Sequence, residues 1–195
     1  MKFDFLFFFN SILMGVGLAM DAFSVSLANG LGEPQMKAAK THTIAGTFGA
    51  FQLAMPLIGW ICVHTIVNIF SSFQKFVPWI ALILLLYIGI KMIVEGIKNK
   101  DGKVDTPAVG FAALMIQAVA TSIDALSVGF TIADYDFLMA FTESLIIGIV
   151  TYFICLLGLK LGKTIGTKIA GRASILGGAI LVFIGIEIFI KGIWM

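Results

Sequence analysis

Two aspartates lie in the middle of long apolar runs, and each is followed by a serine three residues later. Asp21 and Ser24 stand in one run, and Asp124 and Ser127 stand in another, 103 positions further along the chain. An acid at the centre of a membrane-length segment costs about 2.5–3.5 kcal/mol on insertion scales. Two such acids in matching contexts therefore indicate a polar site inside an apolar environment.

The neighbours of these aspartates on a helix are small or carry hydroxyl groups. Residues three and four apart share a helix face, so Asp21 is grouped with Ser24, and Asp124 with Thr121 and Ser127. If the two faces meet, they form an oxygen-lined pocket with two negative charges, which a divalent cation would neutralise. Oxygen ligands favour Mg²⁺, Mn²⁺ or Ca²⁺ over Zn²⁺ or Cu⁺. The alternative is that the aspartates are protonated, or that they join helices by hydrogen bonds.

Three further polar residues within apolar segments are candidate ligands, namely Gln52, Thr151 and Asn29. Pro56 follows Gln52 by one helical turn and removes a backbone hydrogen bond, which could free the Gln52 carbonyl oxygen. The alternative for Gln52 is an interhelical hydrogen bond, and for Asn29 it is a helix cap. A softer ligand from Gln52 or Met55 would favour Mn²⁺ over Mg²⁺.

The composition of the chain is that of a membrane protein. Of its 195 residues, 59% are hydrophobic and 12% are charged, whereas soluble domains carry about 25% charged residues. No basic run suggests nucleic acid, and Cys62 and Cys155 lie in apolar stretches that do not indicate a disulfide scaffold. The first apolar run has no small-residue cleavage site and is interpreted as a membrane span.

The hydropathy pattern predicts an all-α polytopic membrane protein with six transmembrane helices. The predicted spans cover residues 6–30, 43–68, 76–98, 107–131, 138–161 and 174–194. A polar linker at 99–106 separates a first three-helix unit, 1–98, from a second, 107–195. Glycines and basic residues between the last two spans predict a basic turn that contains Gly162, Lys163, Gly166, Lys168 and Arg172.

The two units repeat one another. Segment 84–91 matches 180–187, and the second spans of the units share a pattern of small and polar residues: Gly49, Gln52 and Gly59 against Gly148, Thr151 and Gly158. Because each unit has three spans, which is an odd number, the second unit enters the membrane from the side opposite to the first. This predicts an inverted repeat, whose substrate site typically lies near the midplane between the halves.

Positive charges give the predicted orientation. Nine Lys and Arg residues fall on the side of loops one–two, three–four and five–six, and three fall on the other side. The first side is therefore expected to face the cytoplasm, with both termini outside. Asp4, Asp134, Asp136 and Glu143 are placed on the outer side, where they would form an acidic mouth at most.

Enzyme motifs fail on their spacing. Gly162, Lys163 and Thr164 look like the end of a P-loop, but Leu157 stands where that loop needs glycine. Without a nucleotide site, movement of a divalent cation against a membrane potential would have to be driven by another ion, at roughly 4.6 kcal/mol per 100 mV. Two acids that bind either a metal ion or protons would provide exchange with protons.

Segments 20–26, 49–60 and 120–125 together resemble the MntP-type manganese efflux pumps of bacteria. The resemblance extends over the whole chain, including its length, the six spans and the repeat. It implies export of Mn²⁺ across the bacterial plasma membrane, with Asp21 and Asp124 at the positions of the family's membrane-embedded acids. Some relatives carry a carboxylate where this chain has Gln52. The alternatives are export of another divalent cation or small solute, or a non-transporting, sporulation-related membrane protein of the same fold.

Overall fold

In the computed structural model the protein folds into a set of packed α-helices, and the structure describes residues 4–65, 77–98, 109–168 and 173–194. Within those ranges no strand occurs, and seven helical segments follow one another: α1 (Phe5–Gly32), α2 (Ala38–Thr65), α3 (Val77–Lys98), α4 (Phe111–Ala120), α5 (Ile123–Thr131), α6 (Phe137–Lys168) and α7 (Ala173–Trp194).

Four stretches of the described chain are long and apolar enough to cross a membrane. They are Phe5–Gly32, Ala38–Cys62, Phe111–Thr131 and Phe137–Gly166, and Ile175–Ile184 is a shorter apolar helix. Large apolar side chains cover the outside of the helices, among them Leu13, Ile83, Tyr87, Phe153, Leu157 and Phe183. A soluble monomer rarely exposes so much apolar surface. The prediction of an all-α membrane protein is confirmed, while six spans in two inverted repeats stay a prediction.

The stretch expected as one continuous span at 107–131 is divided into α4 and α5 by Thr121 and Ser122; residues 107 and 108 lie outside the described chain. Both residues at the break turn their hydroxyls back onto α4, since Thr121 Oγ1 donates to the Gln117 carbonyl at 2.9 Å and Ser122 Oγ to the Ala118 carbonyl at 2.7 Å. The Ser122 N–H donates to the Val119 carbonyl, so the Ala118 carbonyl, which would accept that N–H in a continuous α-helix, accepts the Ser122 hydroxyl instead. The break places Asp124 in the first turn of α5.

The prediction of a basic turn after residue 161 is wrong for residues 162–168, because these residues continue helix α6. The glycines there allow close helix packing. A Cβ on Gly162 would lie 2.9 Å from the Gly30 Cα, so α1 and α6 are in backbone contact at this level. Lys163 Nζ donates to the Met36 carbonyl at 2.6 Å, which ties the end of α6 to the loop after α1. Arg172 lies outside the described residues.

Glycine contacts also determine how the other helices run past one another. A Cβ on either Gly49 or Gly148 would lie 2.8 Å from the other residue's carbonyl oxygen, where α2 crosses α6 in the antiparallel sense. Gly89 and Gly178 bring α3 and α7 together in the same way, also antiparallel. Small residues let membrane helices approach to backbone contact, which gains dispersion energy that lipid cannot supply.

Candidate functional site

Asp21 lies within α1 and is half-buried. The helix is continuous on both sides of it, from Phe5 to Gly32. Ser24 follows on the same face, and its hydroxyl donates to the Met20 carbonyl at 3.0 Å. Because the hydroxyl proton is used within the helix, the lone pairs of Ser24 Oγ are what this residue can offer to a ligand.

Asp124 lies in a different local structure from Asp21, at the start of a helix. It is exposed, and its Oδ1 accepts a hydrogen bond from the Ala125 backbone N–H at 2.9 Å. The first N–H groups of a helix have no intrahelical acceptor and carry partial positive charge, which stabilises a carboxylate there. Ser127, one turn further along α5, is also exposed. The break in the chain thus presents Asp124 and Ser127 at an accessible helix start.

Gln52 connects the two aspartate segments. Its Nε2 donates to the Leu18 carbonyl at 3.0 Å and to the Thr121 carbonyl at 3.1 Å. Leu18 and Thr121 each stand three residues before one of the aspartates, Asp21 and Asp124. A nitrogen that contacts two carbonyl oxygens must be the NH₂ group of the amide, which fixes the orientation of the side chain. The fully buried Gln52 therefore lies between α1 and the α4–α5 break.

The amide oxygen of Gln52 takes no part in these two hydrogen bonds. Gln52 Oε1 is buried and has no hydrogen-bond partner among the described residues, and the same holds for Thr151 Oγ1 on α6. Thr151 is the residue that the sequence repeat pairs with Gln52. A buried oxygen without a donor costs about 1–3 kcal/mol, which a bound cation or water would recover. Both positions are therefore available as neutral oxygen ligands.

The side-chain amide of Asn29 is hydrogen-bonded to Gln117, a residue that was not among the predicted site residues. Its Nδ2 donates to Gln117 Oε1 at 2.8 Å, and Gln117 Nε2 donates back to Asn29 Oδ1 at 3.2 Å. Both amides are fully buried between α1 and α4. The alternative of a helix cap is wrong, since α1 continues to Gly32 and its C-cap is Glu33. An amide within the apolar run before Asp124 was the sequence signal for Gln117.

The acids that were predicted to form an outer mouth lie in different environments. Asp4 and Asp136 accept backbone N–H groups at the starts of α1 and α6, from Phe7 and Met139, both at 2.8 Å. Glu143, in contrast, is buried, so its assignment to a solvent-facing mouth is wrong. It was misplaced because a lone acid near the end of an apolar run looks the same in sequence whether it faces water or the protein.

The described residues contain no group of three His, Cys, Asp or Glu side chains close enough to hold one ion. An ion site formed by the described residues would therefore contain at most two such side chains, with neutral oxygens as the other ligands. The structure brings Gln52 and the Thr121 backbone to the aspartate segments, and it commits Asn29 to Gln117. Hard oxygen sets of this kind suit Mg²⁺, Ca²⁺ and Mn²⁺.

Comparison with known proteins gives the family. A family model described as "Mntp: Putative manganese efflux pump" matches residues 35–189. A protein of Clostridium botulinum (strain Loch Maree) with the name "Putative manganese efflux pump MntP" is 42% identical over 191 residues, an alignment that covers 92% of each chain. The chain belongs to the MntP family. The resemblance seen in its sequence is thereby confirmed.

Other members of the MntP family extend the range of source organisms. The relative from Clostridium perfringens (strain 13) is 38% identical over 201 residues, with 92% of each chain covered. The relative from Methanothermobacter thermautotrophicus is 36% identical over 182 residues, which is 93% of this chain and 95% of that protein. Both carry the same name as the botulinum protein. No solved structure matches the chain.

Proposed function

We propose that the protein is a secondary transporter that exports Mn²⁺ from the bacterial cytoplasm, with the ion held between Asp21 and Asp124. The relatives that cover nearly its whole length are named as manganese efflux pumps, which supports the substrate and the direction. The observation that carries the site is the position of Gln52, whose amide donates to the carbonyl three residues before each aspartate. One side chain thus lies next to both acids' segments.

The two halves are inverted repeats in this proposal, and equivalent contacts support the symmetry. A Cβ on Gly158 would lie 2.7 Å from the Phe23 carbonyl oxygen, and one on Gly59 would meet the Leu126 carbonyl oxygen. Gly59 and Gly158 correspond in the repeat, and Phe23 and Leu126 differ by the same 103 positions that separate Asp21 from Asp124. The α1–α6 contact is therefore repeated between α5 and α2, as a two-fold axis in the membrane plane requires.

The proposed coordination shell consists of oxygen atoms. The two carboxylates supply the charge, and Gln52 Oε1, Ser24 Oγ, Ser127 Oγ and the Thr151 hydroxyl are candidate neutral ligands. Thr121 Oγ1 is a candidate on the same terms as Ser24 Oγ, because each hydroxyl donates its proton within its own helix and keeps its lone pairs. Two carboxylates match the charge of one divalent ion, which removes most of the cost of placing either acid in the membrane.

Export needs a second ion in this proposal. The membrane potential opposes outward movement of a divalent cation by roughly 4.6 kcal/mol per 100 mV. Asp21 and Asp124 would bind protons after Mn²⁺ has left, so that protons return inward as Mn²⁺ leaves. With the cytoplasmic side set by the excess of Lys and Arg, both termini lie outside the cell. Export from sealed vesicles that does not respond to an imposed proton gradient would contradict this coupling.

The site is tested by growth of a manganese-sensitive bacterial strain in excess Mn²⁺. The wild-type protein is expected to restore growth, whereas Asp21→Asn and Asp124→Asn lose protection at equal expression. Asp136→Asn is the matched control, because it makes the same chemical change at a helix N-cap where Asn is an equally good acceptor. Full protection by both site variants would show that the ion is not held by these acids. If the protein protects cells only against a different divalent cation, that cation is the substrate in place of Mn²⁺.

A further inference from the structure

Glu143 is a buried carboxyl group that the proposed ion site does not use. It lies near the start of α6, and only 3% of the residue is exposed. Its Oε2 is buried and has no hydrogen-bond partner among the described residues. An ionised carboxylate in such a place costs several kcal/mol more than the neutral acid, because burial removes water without supplying a counter-charge.

Glu143 lies on the α6 face that packs into an apolar cluster, in the half of the protein that faces outward in the proposed orientation. Ala140 and Ile147, on the same face of α6, pack in this cluster with residues from α1, α2, α5 and the α5–α6 connection: Met14, Leu18, Leu57, Trp60, Val128, Ile132 and Tyr135. We call this set the outer cluster. It begins one turn from each aspartate, at Leu18 before Asp21 and at Val128 after Asp124. With both termini outside, as proposed, the outer cluster lies between the aspartates and the outer ends of α1, α2 and α5.

The charged and titratable groups around Glu143 are acidic or neutral. The α5–α6 connection supplies Asp134, Tyr135 and Asp136, and α1 supplies Asp4, with Asp21 beyond the outer cluster. Burial raises the pKa of the Tyr135 hydroxyl, and the charge of Glu143, whenever that acid is ionised, and the charge of Asp4 raise it further. Tyr135 therefore stays neutral at physiological pH and lies within the electrostatic reach of both acids.

Basic residues are few on the helices that pack against α6. Neither α1 nor α5 contains Lys, Arg or His, and on α2 Lys40 and His42 lie at the opposite end, while His64 stands one turn beyond Trp60 of the outer cluster. On α6 itself the first lysine is Lys160. No Lys or Arg on the described parts of these helices stands near the buried carboxylate, so the small ligand that removes its charge is a proton.

We propose that Glu143 is a proton-binding site in the outer half of the transport pathway, neutral while the outer cluster is closed and ionised when the cluster opens to water. On opening, the proton leaves the carboxyl oxygen for a water molecule, and the carboxylate becomes a transient attraction for a cation that has left the aspartates. A proton from outside then binds the same oxygen, releases the cation and allows the cluster to close. The role of Glu143 in transport rests on the proposed function. The presence of a proton on the buried Glu143 does not depend on that function.

The proton itself is tested on purified protein in lipid nanodiscs, without Mn²⁺, by infrared spectroscopy. A C=O stretching band of protonated carboxylic acid is expected near neutral pH in the wild type. Glu143→Gln is expected to lose the component of this band that comes from Glu143 and to keep any component from metal-free Asp21 and Asp124. Ser144→Ala is the matched control, since Ser144 is an equally buried neighbour whose hydroxyl only returns to the Ala140 carbonyl. Identical carboxylic acid bands in the wild type and in Glu143→Gln would overturn the proposal.

The role in transport is tested by varying only the outer pH around cells or right-side-out vesicles loaded with Mn²⁺. Glu143→Gln is expected to lose the dependence of export on outer pH, and Glu143→Asp, which keeps an acid, is expected to retain it. Unchanged pH dependence in Glu143→Gln would contradict the role of Glu143. If the wild type does not export Mn²⁺ at all, the proposed function fails, and the infrared measurement still decides whether Glu143 holds a proton.

Discussion

The backbone carbonyl oxygens of Leu18 and Thr121 are joined through one side-chain nitrogen, Gln52 Nε2, at 3.0 and 3.1 Å. These two residues occupy equivalent places before Asp21 and Asp124. Gln52 therefore holds the aspartate segments of the two halves in a fixed relation to one another. In the proposed ion site, the amide nitrogen of Gln52 would therefore position the aspartate segments and would not bind the ion.

Replacement of Gln52 by leucine is expected to destabilise the protein by about 1–3 kcal/mol, because the Thr121 carbonyl at the helix break loses a buried donor. Mn²⁺ export should fall as well, since the aspartate segments are no longer tied together. Thermal unfolding in detergent measures the first effect and vesicle transport the second. Met55→Leu, on the same helix, is the control for the stability measurement and should change the unfolding temperature little. Wild-type stability in Gln52→Leu would show that the two hydrogen bonds contribute nothing.

The Asn29–Gln117 amide pair is expected to be structural. Asn29→Leu or Gln117→Leu alone leaves a buried amide unsatisfied, at a cost of about 1–3 kcal/mol, whereas the double variant should lose less than the sum of the two. A double-mutant cycle of unfolding free energies measures this coupling. Export should return toward the wild-type rate in the double variant. A double variant that is stable but inactive would instead make Asn29 a ligand, as the sequence suggested.

The crossing of α2 and α6 at Gly49 and Gly148 should not tolerate a methyl group. Alanine at either position places Cβ 2.8 Å from a backbone carbonyl oxygen, so we expect a loss of about 1–3 kcal/mol of unfolding free energy. Gly17→Ala and Gly46→Ala have no heavy atom within 4 Å of the new Cβ. These controls should be neutral or stabilise the helix by up to about 1 kcal/mol. Equal stabilities of all four variants would contradict the close crossing.

Bound Mn²⁺ should raise the unfolding temperature, because an ion that binds only the folded protein stabilises it. At a free ion concentration 100 times Kd, the gain is about 2.7 kcal/mol. A chelator should reverse the shift in the wild type, and Asp21→Asn and Asp124→Asn should show no shift. Asp136→Asn, again the matched control, should keep it. A shift of wild-type size in both aspartate variants would place the ion elsewhere.

The sequence by itself determined the membrane class, the helical character and the family, as well as the residues most costly to place in an apolar segment. These conclusions depend on local quantities. The transfer cost of Asp21 and Asp124 and the apolar length of each run can be read without knowing which helices are neighbours. The acids, Gln52 and Thr151 were accordingly identified as candidates from their type and context alone.

The tertiary structure decided which polar groups form hydrogen bonds with each other. The amide of Asn29 meets Gln117, Gln52 donates to two helices, and Thr121 and Ser122 interrupt a run that hydropathy alone predicts as continuous. The glycines of 162–168 serve helix packing instead of a turn, and Glu143 is directed into the protein. Each of these outcomes depends on the rotation and register of neighbouring helices. An apolar run is compatible with many such arrangements, and only the packed helices select one of them.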